Sequence, residues 1–330
     1  HTLSLLTLKP GLFTADGRDA AGQVWFDDLG APPCDGVLAQ AQLLCESPHG
    51  GAPLRRAHAS HKGSYGEVVV IGGQDIAHAG SGMTGAAVLA ARAALHGGAG
   101  RVYVALLGET PGGPAVRWDP VCPELMFRSV QALMSSALLQ NASVVCGCGG
   151  GDSVAELLPA VLAQAPTLVL DADALNAIAR DNSLLKRLQE RRSSGWITVL
   201  TPHPLEAARL LGSDTATVMS DRLSAAQRLS DRFAAVCVLK GSGTVISAPG
   251  RIPMINASGN AALATAGTGD VLAGMIGGLA AQRMDSFDAA CAAVWLHSDA
   301  AERFGPGLTS DDLYDVLPKS LFEQWMASAT

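Results

Sequence analysis

From residue 61 onward the chain alternates short, unbroken apolar runs with helical patterns. Residues 67–71, 101–106, 142–146, 167–170, 197–200 and 236–239 are such runs. Residues 82–96, 154–163, 174–179, 183–189, 205–211 and 220–233 carry the helical patterns. A strand without a polar face is covered on both sides, and parallel strands need helical crossovers. The pattern therefore predicts an α/β fold, a mostly parallel central sheet with helices on both faces. A hydrophobic content of 48% over 330 residues supplies core for one large domain with an appendage, or for two smaller domains.

Open parallel sheets bind ligands at the carboxyl edge of their strands. The unusual clusters fall there: Gly72-Gly73, Gly147-Cys148-Gly149-Gly150-Gly151, Asp171-Ala172-Asp173, Thr201-Pro202-His203-Pro204-Leu205-Glu206, Lys240-Gly241-Ser242-Gly243-Thr244 and Gly267-Thr268-Gly269-Asp270. Each alone is turn chemistry; together on one edge they predict one site. The last cluster leads straight into an apolar helix expected over 271–282, so its free backbone N–H groups would form an anion site beside Asp270. Gly267 and Gly269 permit positive φ and close approach of a ligand, and Asp270 suits a base taking a proton from an attacking hydroxyl. A plain helix cap would use the same residues. His203, between two prolines, reads either as a capped loop histidine or as a ring projecting into the site. Glu206 is either a first-turn glutamate or a carboxylate ordering Mg²⁺ through water, and Lys240 is either solvated or a phosphate contact.

Gly80-Ser81-Gly82-Met83-Thr84-Gly85 matches the dinucleotide fingerprint, but it does not turn directly from strand into helix. No Gly-Lys-Ser/Thr occurs, which excludes a P-loop. A net charge of −7 argues against nucleic acid. Seven scattered cysteines show no disulfide framework and imply a reducing cytoplasm, and no apolar run reaches membrane-spanning length. Residues 1–30 begin on an apolar strand and read as the tail of a preceding domain; 31–60 have linker composition; 61–330 form the main domain.

His61-Lys62-Gly63-Ser64-Tyr65-Gly66, Gly98-Ala99-Gly100, Asp171-Ala172-Asp173-Ala174-Leu175-Asn176, Thr201-Pro202-His203-Pro204, Lys240-Gly241 with Thr244, and Gly267-Thr268-Gly269-Asp270-Val271-Leu272 together resemble the ADP-dependent NAD(P)H-hydrate dehydratases of the ribokinase-like superfamily. Leu8-Lys9-Pro10-Gly11 and Gly17-Arg18-Asp19-Ala20-Ala21-Gly22 resemble the end of the epimerase domain fused ahead of the dehydratase in many bacteria. The resemblance implies a ribokinase-like fold and the ADP-dependent dehydration of the S-form of hydrated NADH or NADPH, releasing AMP and phosphate. It assigns Asp270 as catalytic base, with Ala86, Gly149, His203 and Asp270 on the hydrated dinucleotide. Lys240, Gly241, Ser242, Gly243, Thr244, Asn260, Gly267, Thr268 and Gly269 would bind ADP or ATP, with Mg²⁺ near Glu206 through water. A homo-oligomer is expected. Cys148 replaces the family's usual proline, Leu205 and Ala266 stand where glycine is common, and the loop 74–81 is longer than usual. A small-alcohol kinase on the same fold is the sibling alternative, and a nicotinamide-dependent oxidoreductase using Gly80 to Gly85 is the distant one.

Overall fold

The structure, a computed structural model, describes residues 1–32, 36, 39–45, 56–108 and 118–327. Its strands are β1 (Thr2–Leu5), β2 (Val24–Asp27), β3 (Gln42–Leu44), β4 (Glu67–Gln74), β5 (Arg101–Leu107), β6 (Met126–Phe127), β7 (Ser143–Cys146), β8 (Thr167–Leu170), β9 (Ile197–Leu200), β10 (Val236–Leu239), β11 (Val245–Ser247) and β12 (Met254–Asn256). All but β1 and β2 form one ten-stranded sheet in the order β3-β12-β11-β10-β9-β8-β7-β4-β5-β6. Only β11 runs antiparallel to its neighbours β10 and β12; every other pairing is parallel. The expected mostly parallel sheet is observed.

Successive strand residues point to opposite faces, so Val68 and Val70 join one hydrophobic core while Val69 and Ile71 join the other. The first core packs the sheet against helices Thr84–His96, Thr268–Ala281 and Ser286–Phe304. The second packs it against helices Val154–Gln164, Ala172–Arg180, Pro204–Leu211 and Arg222–Phe233. Helix Thr268–Ala281 lies very close to its neighbours because glycine occupies the contacts. A Cβ at Gly274 would stand 2.0 Å from the Ala90 carbonyl oxygen, and one at Gly277 2.4 Å from Val145. These contacts fix where the start of that helix emerges at the sheet edge.

Helix 268–281 begins three residues before the expected 271. The small residues Thr268 and Gly269 carry no apolar periodicity, yet the Val271 N–H already bonds the Gly267 carbonyl at 3.1 Å. The expected helix 220–233 is observed as Arg222–Phe233; Asp221 caps it by accepting from the Ser224 N–H and separates it from a preceding helix, Thr215–Ser220, that was not expected. Between β4 and helix Thr84–His96 runs a helical turn, Ile76–Ala79, capped by Asp75 and closed by Gly80 in the left-handed region. No direct strand-to-helix glycine turn exists there, which removes the geometry a dinucleotide fingerprint requires.

β1 and β2 form a separate parallel pair. Leu3, Trp25, Phe26 and Leu29 on this unit are each more than half exposed. Within 31–60, β3 adds a parallel edge strand beside β12, with Leu43 opposite Ile255, and most of the remainder lies outside the described residues. No helix among the described residues is long and apolar enough to cross a membrane.

Candidate active site

The ends of β7, β8 and β10 bring their clusters together. Asp171, just after β8 and only 1% exposed, receives the Lys240 ammonium on Oδ1 at 2.6 Å and the Thr201 hydroxyl on the same oxygen at 2.7 Å. The Cys148 thiol faces its Oδ2 at 3.8 Å. Asp270 completes the group: ligand atoms of Cys148, Asp171 and Asp270 lie within 4.8 Å of one another. Lys240 is therefore not a solvated strand-end lysine. Burial lowers its pKa, but the Asp171 and Glu206 carboxylates outweigh that, and the ammonium is held above its ordinary value.

Asp270 occupies the first turn of helix Thr268–Ala281, whose cap is Gly267 with φ 90°, and no side chain caps this helix. The cap reading of Asp270 is thus not observed. Burial pushes its carboxyl up to about 7; the Asp171 charge adds to the shift, and the Cys148 thiol and Lys240 oppose it. Such a group is half-ionised near neutrality, where a general base works best. Gly269 is helical rather than in the left-handed region. A Cβ there would meet the Lys240 Nζ at 3.4 Å, an ordinary contact.

A cavity of about 670 Å³ opens beside Lys240, which alone of Cys148, Asp171, Lys240 and Asp270 lines it; Ala86, Gly149 and His203 also lie outside its lining. Lys240, Gly241, Ser242, Gly243, Thr244, Asn260, Thr268 and Gly269 line it. Gly267 does not; it lies behind the helix start against Leu89 and Ser310. Gly149, at φ 58°, packs against Ala86 so closely that a Cβ would stand 2.7 Å from the Ala86 methyl. The glycine cluster thereby joins helix Thr84–His96 next to Cys148. His203 caps helix Pro204–Leu211 through Nδ1, which accepts from the Leu205 N–H at 3.1 Å. Glu206 accepts the His203 N–H at 2.9 Å with one oxygen, and its other oxygen lies 3.2 Å from the His203 Nε2.

Strand-end position marks Thr201, Asp171 and Cys148 one by one, but nothing in the sequence joins them in one charge cluster. A further residue is His297. This buried residue lines the cavity and donates from Nε2 to the Thr268 carbonyl at 2.9 Å. Burial lowers its pKa to about 4, so the ring is neutral and holds the helix start. Nothing local in the alanine-rich helix Ser286–Phe304 marks it.

A parallel sheet clothed by helices, with a glycine-capped helix start delivering a carboxylate among the strand-end loops, places the chain in the ribokinase-like class. Within it the chain belongs to the NAD(P)H-hydrate dehydratase family, whose profile matches residues 48–324. It is 38% identical over 334 residues to the bifunctional NAD(P)H-hydrate repair enzyme Nnr of Escherichia coli, covering 97% of this chain and 60% of that protein. It is 40% identical over 249 residues to the ADP-dependent (S)-NAD(P)H-hydrate dehydratase of Neisseria meningitidis, covering 75% of this chain and 80% of that one. The ADP/ATP-dependent NAD(P)H-hydrate dehydratase of Bacillus subtilis, co-crystallized with ATP/Mg²⁺, has the same fold at a TM-score of 0.69 and 29% identity, covering 86% of this chain and 99% of that one. The chain spans less than two thirds of the length of the bifunctional relatives from E. coli and Leishmania braziliensis.

Proposed function

We propose that this chain restores hydrated NADH or NADPH, in the S-form, by ADP-dependent dehydration that yields AMP and phosphate. The observation that carries this reading is the Asp270 carboxyl, raised to about 7 and set on a helix start beside Lys240 and a glycine-lined cavity. Asp270 takes the proton of the ring hydroxyl as that oxygen attacks the terminal phosphorus of the nucleotide. The bond from phosphorus to the bridging oxygen breaks and AMP leaves. A proton and the newly bound phosphate then depart from the ring, restoring its double bond. The Gly269 N–H and the Lys240 ammonium would face the charge that grows on the transferring group.

Ala86 and Gly149 would form the floor for the nicotinamide ring, with His203 on the dinucleotide, while Lys240 to Thr244, Asn260, Thr268 and Gly269 would hold the nucleotide, with Gly267 serving only to cap the helix behind them. Mg²⁺ fits the donor chemistry. Asp173 is raised first by burial and then by the charges of Glu206, Asp171 and Asp152, a negative field that a divalent cation held through water would relieve. Both Glu206 oxygens are engaged by His203, which suits contact through water. Such an ion would neutralise charge between the phosphates. The Asp171–Lys240 pair keeps Lys240 charged and aimed at the helix start.

Residues 1–30 read as the tail of a preceding epimerase-like unit, 31–60 as the connection and 61–330 as the dehydratase. The exposed Leu3, Trp25 and Phe26 on a two-stranded pair support this, because such a pair is marginal without a further partner. The unpaired thiols of Cys45, Cys122, Cys146, Cys148, Cys237 and Cys291 suit a reducing cytoplasm. The expected homo-oligomer is checked by light scattering. Incubation with hydrated NADH and ADP should return reduced-nicotinamide absorbance. Absence of any return with either ADP or ATP sinks the reading, and accumulation of a stable phosphorylated product would favour the kinase alternative.

A further inference from the structure

The nucleotide cavity is not closed by the main domain alone. Arg18, Asp19 and Gly22 line it, although they belong to the segment ahead of β2. Arg18 donates from Nη2 to the Ala257 carbonyl at 2.9 Å and the Gly259 carbonyl at 2.6 Å, bridging the loop between β12 and the site. The Ala15 N–H donates to the Ser242 carbonyl at 3.0 Å, and the Ser242 hydroxyl returns a bond to the Ala15 carbonyl at 3.3 Å. Gly243 stands at φ 64°, and a Cβ there would lie 1.8 Å from the Phe13 carbonyl oxygen. Only glycine lets the loop 240–244 and the segment 13–15 abut in this way. The contact is therefore built from both sides, by an arginine on one loop and a glycine on the other.

The cavity also has two chemically different ends. Lys240 faces Gly269 at the helix start, a setting that favours phosphate oxygens. The N-terminal segment meets the cavity loops at 242, 243, 257 and 259, and with it comes Asp19, an exposed residue that lines the cavity. A carboxylate repels phosphate and accepts hydrogen bonds from hydroxyl groups. We infer that residues 13–22 form one wall of the nucleotide site. Arg18 positions the loop 257–259, and Asp19 accepts hydrogen bonds from the ribose hydroxyls of the nucleoside diphosphate. The segment preceding the dehydratase thus sets its nucleotide affinity. This inference rests on the nucleotide-dependent reading above and adds the orientation of the nucleotide and the part of the chain that fixes it.

The test uses the full chain, in steady state with hydrated NADH and by calorimetry with ADP alone. Arg18→Ala should raise the KM and Kd for ADP about tenfold, the scale of losing a charge-assisted hydrogen bond, with kcat and the KM for hydrated NADH within about twofold. Arg18→Lys, which can still reach one carbonyl, should recover part of the loss, and a general loss of folding would instead lower kcat and affinity for both substrates together. The parent should bind ADP more tightly than 2′,3′-dideoxy-ADP, and Asp19→Ala should erase that preference; a parent without the preference overturns the role of Asp19. Parent-like ADP affinity in both alanine variants, or an Asp19→Ala variant that keeps the sugar preference, overturns the inference. A parent that binds ADP but turns over no hydrated NADH overturns the dehydratase reading instead, and calorimetry on the variants still decides the role of the segment.

Discussion

At one end of the cleft, Asp171, Cys148, Lys240 and Asp270 are held by burial and by each other's charge; at the other, residues 241–244 present glycines and backbone around an open cavity. In the first region the side chains are almost out of water, and their mutual field decides which are ionised. Asp171 holds the ammonium, and Asp270 is left with a raised pKa and no cation of its own. In the second region shape decides, because positive φ at Gly241 and Gly243 lets the chain fold back along the cavity wall. A substitution at the first end should therefore change chemistry and pH response, and one at the second should change nucleotide affinity.

The largest effect is expected from Asp270→Asn. Turnover should fall by about 10² to 10⁴-fold, the range of a lost general base, while ADP affinity measured by calorimetry stays within about twofold. A variant that keeps its rate would merge the two regions into one binding surface. Next is Lys240→Met, which strands the Asp171 carboxylate in the interior. Chemical denaturation should show a loss of about 3–5 kcal/mol, and adding Asp171→Asn should recover much of it. If the double variant is no more stable than the single one, the pair is not what holds this corner.

The pH response follows from Asp270. Its folded pKa of about 7 predicts that kcat/KM falls on the acid side of 7, close to tenfold for each further pH unit. Stability carries the matching sign. Between its ordinary value of 3.8 and about 7 the folded chain binds a proton that the unfolded chain releases, so Asp270 weakens the fold as pH rises through that window. His297, lowered from 6.5 to about 4, acts oppositely and strengthens the fold as pH rises between those values. The Asp270 contribution is therefore read as the difference between the parent and Asp270→Asn, whose melting curves should diverge toward neutral pH. The smallest effect is expected from Gly269→Ala. A Cβ there meets Lys240 Nζ only at 3.4 Å, an ordinary contact, so the KM for ADP should rise no more than about threefold. A large loss of turnover would show that the first turn tolerates no added volume.

The sheet was legible because its central strands lack a polar face, and the site edge because glycines, carboxylates and the lysine fall at strand ends. What pairs with what was not legible. Lys240 and Asp171 are 69 positions apart and are joined only by the order of strands in space, while Arg18 and Gly259, 241 apart, meet only because the N-terminal segment docks on the loop after β12. The same holds for His297, whose partner Thr268 belongs to another helix. The short strand β6 escaped notice because two residues cannot show a period. His203 shows how one residue can satisfy a modest reading and leave a larger one open: its Nδ1 caps a helix, and its ring remains 46% exposed.

The most direct measurement follows NADH, AMP and phosphate together after hydrated NADH and ADP are mixed with the parent and with Asp270→Asn. The parent should form all three in equal amounts, and the variant should bind ADP but form none at a comparable rate. NADH restored without AMP, or restored equally well by Asp270→Asn, would contradict phosphoryl transfer to the ring hydroxyl with Asp270 as its base.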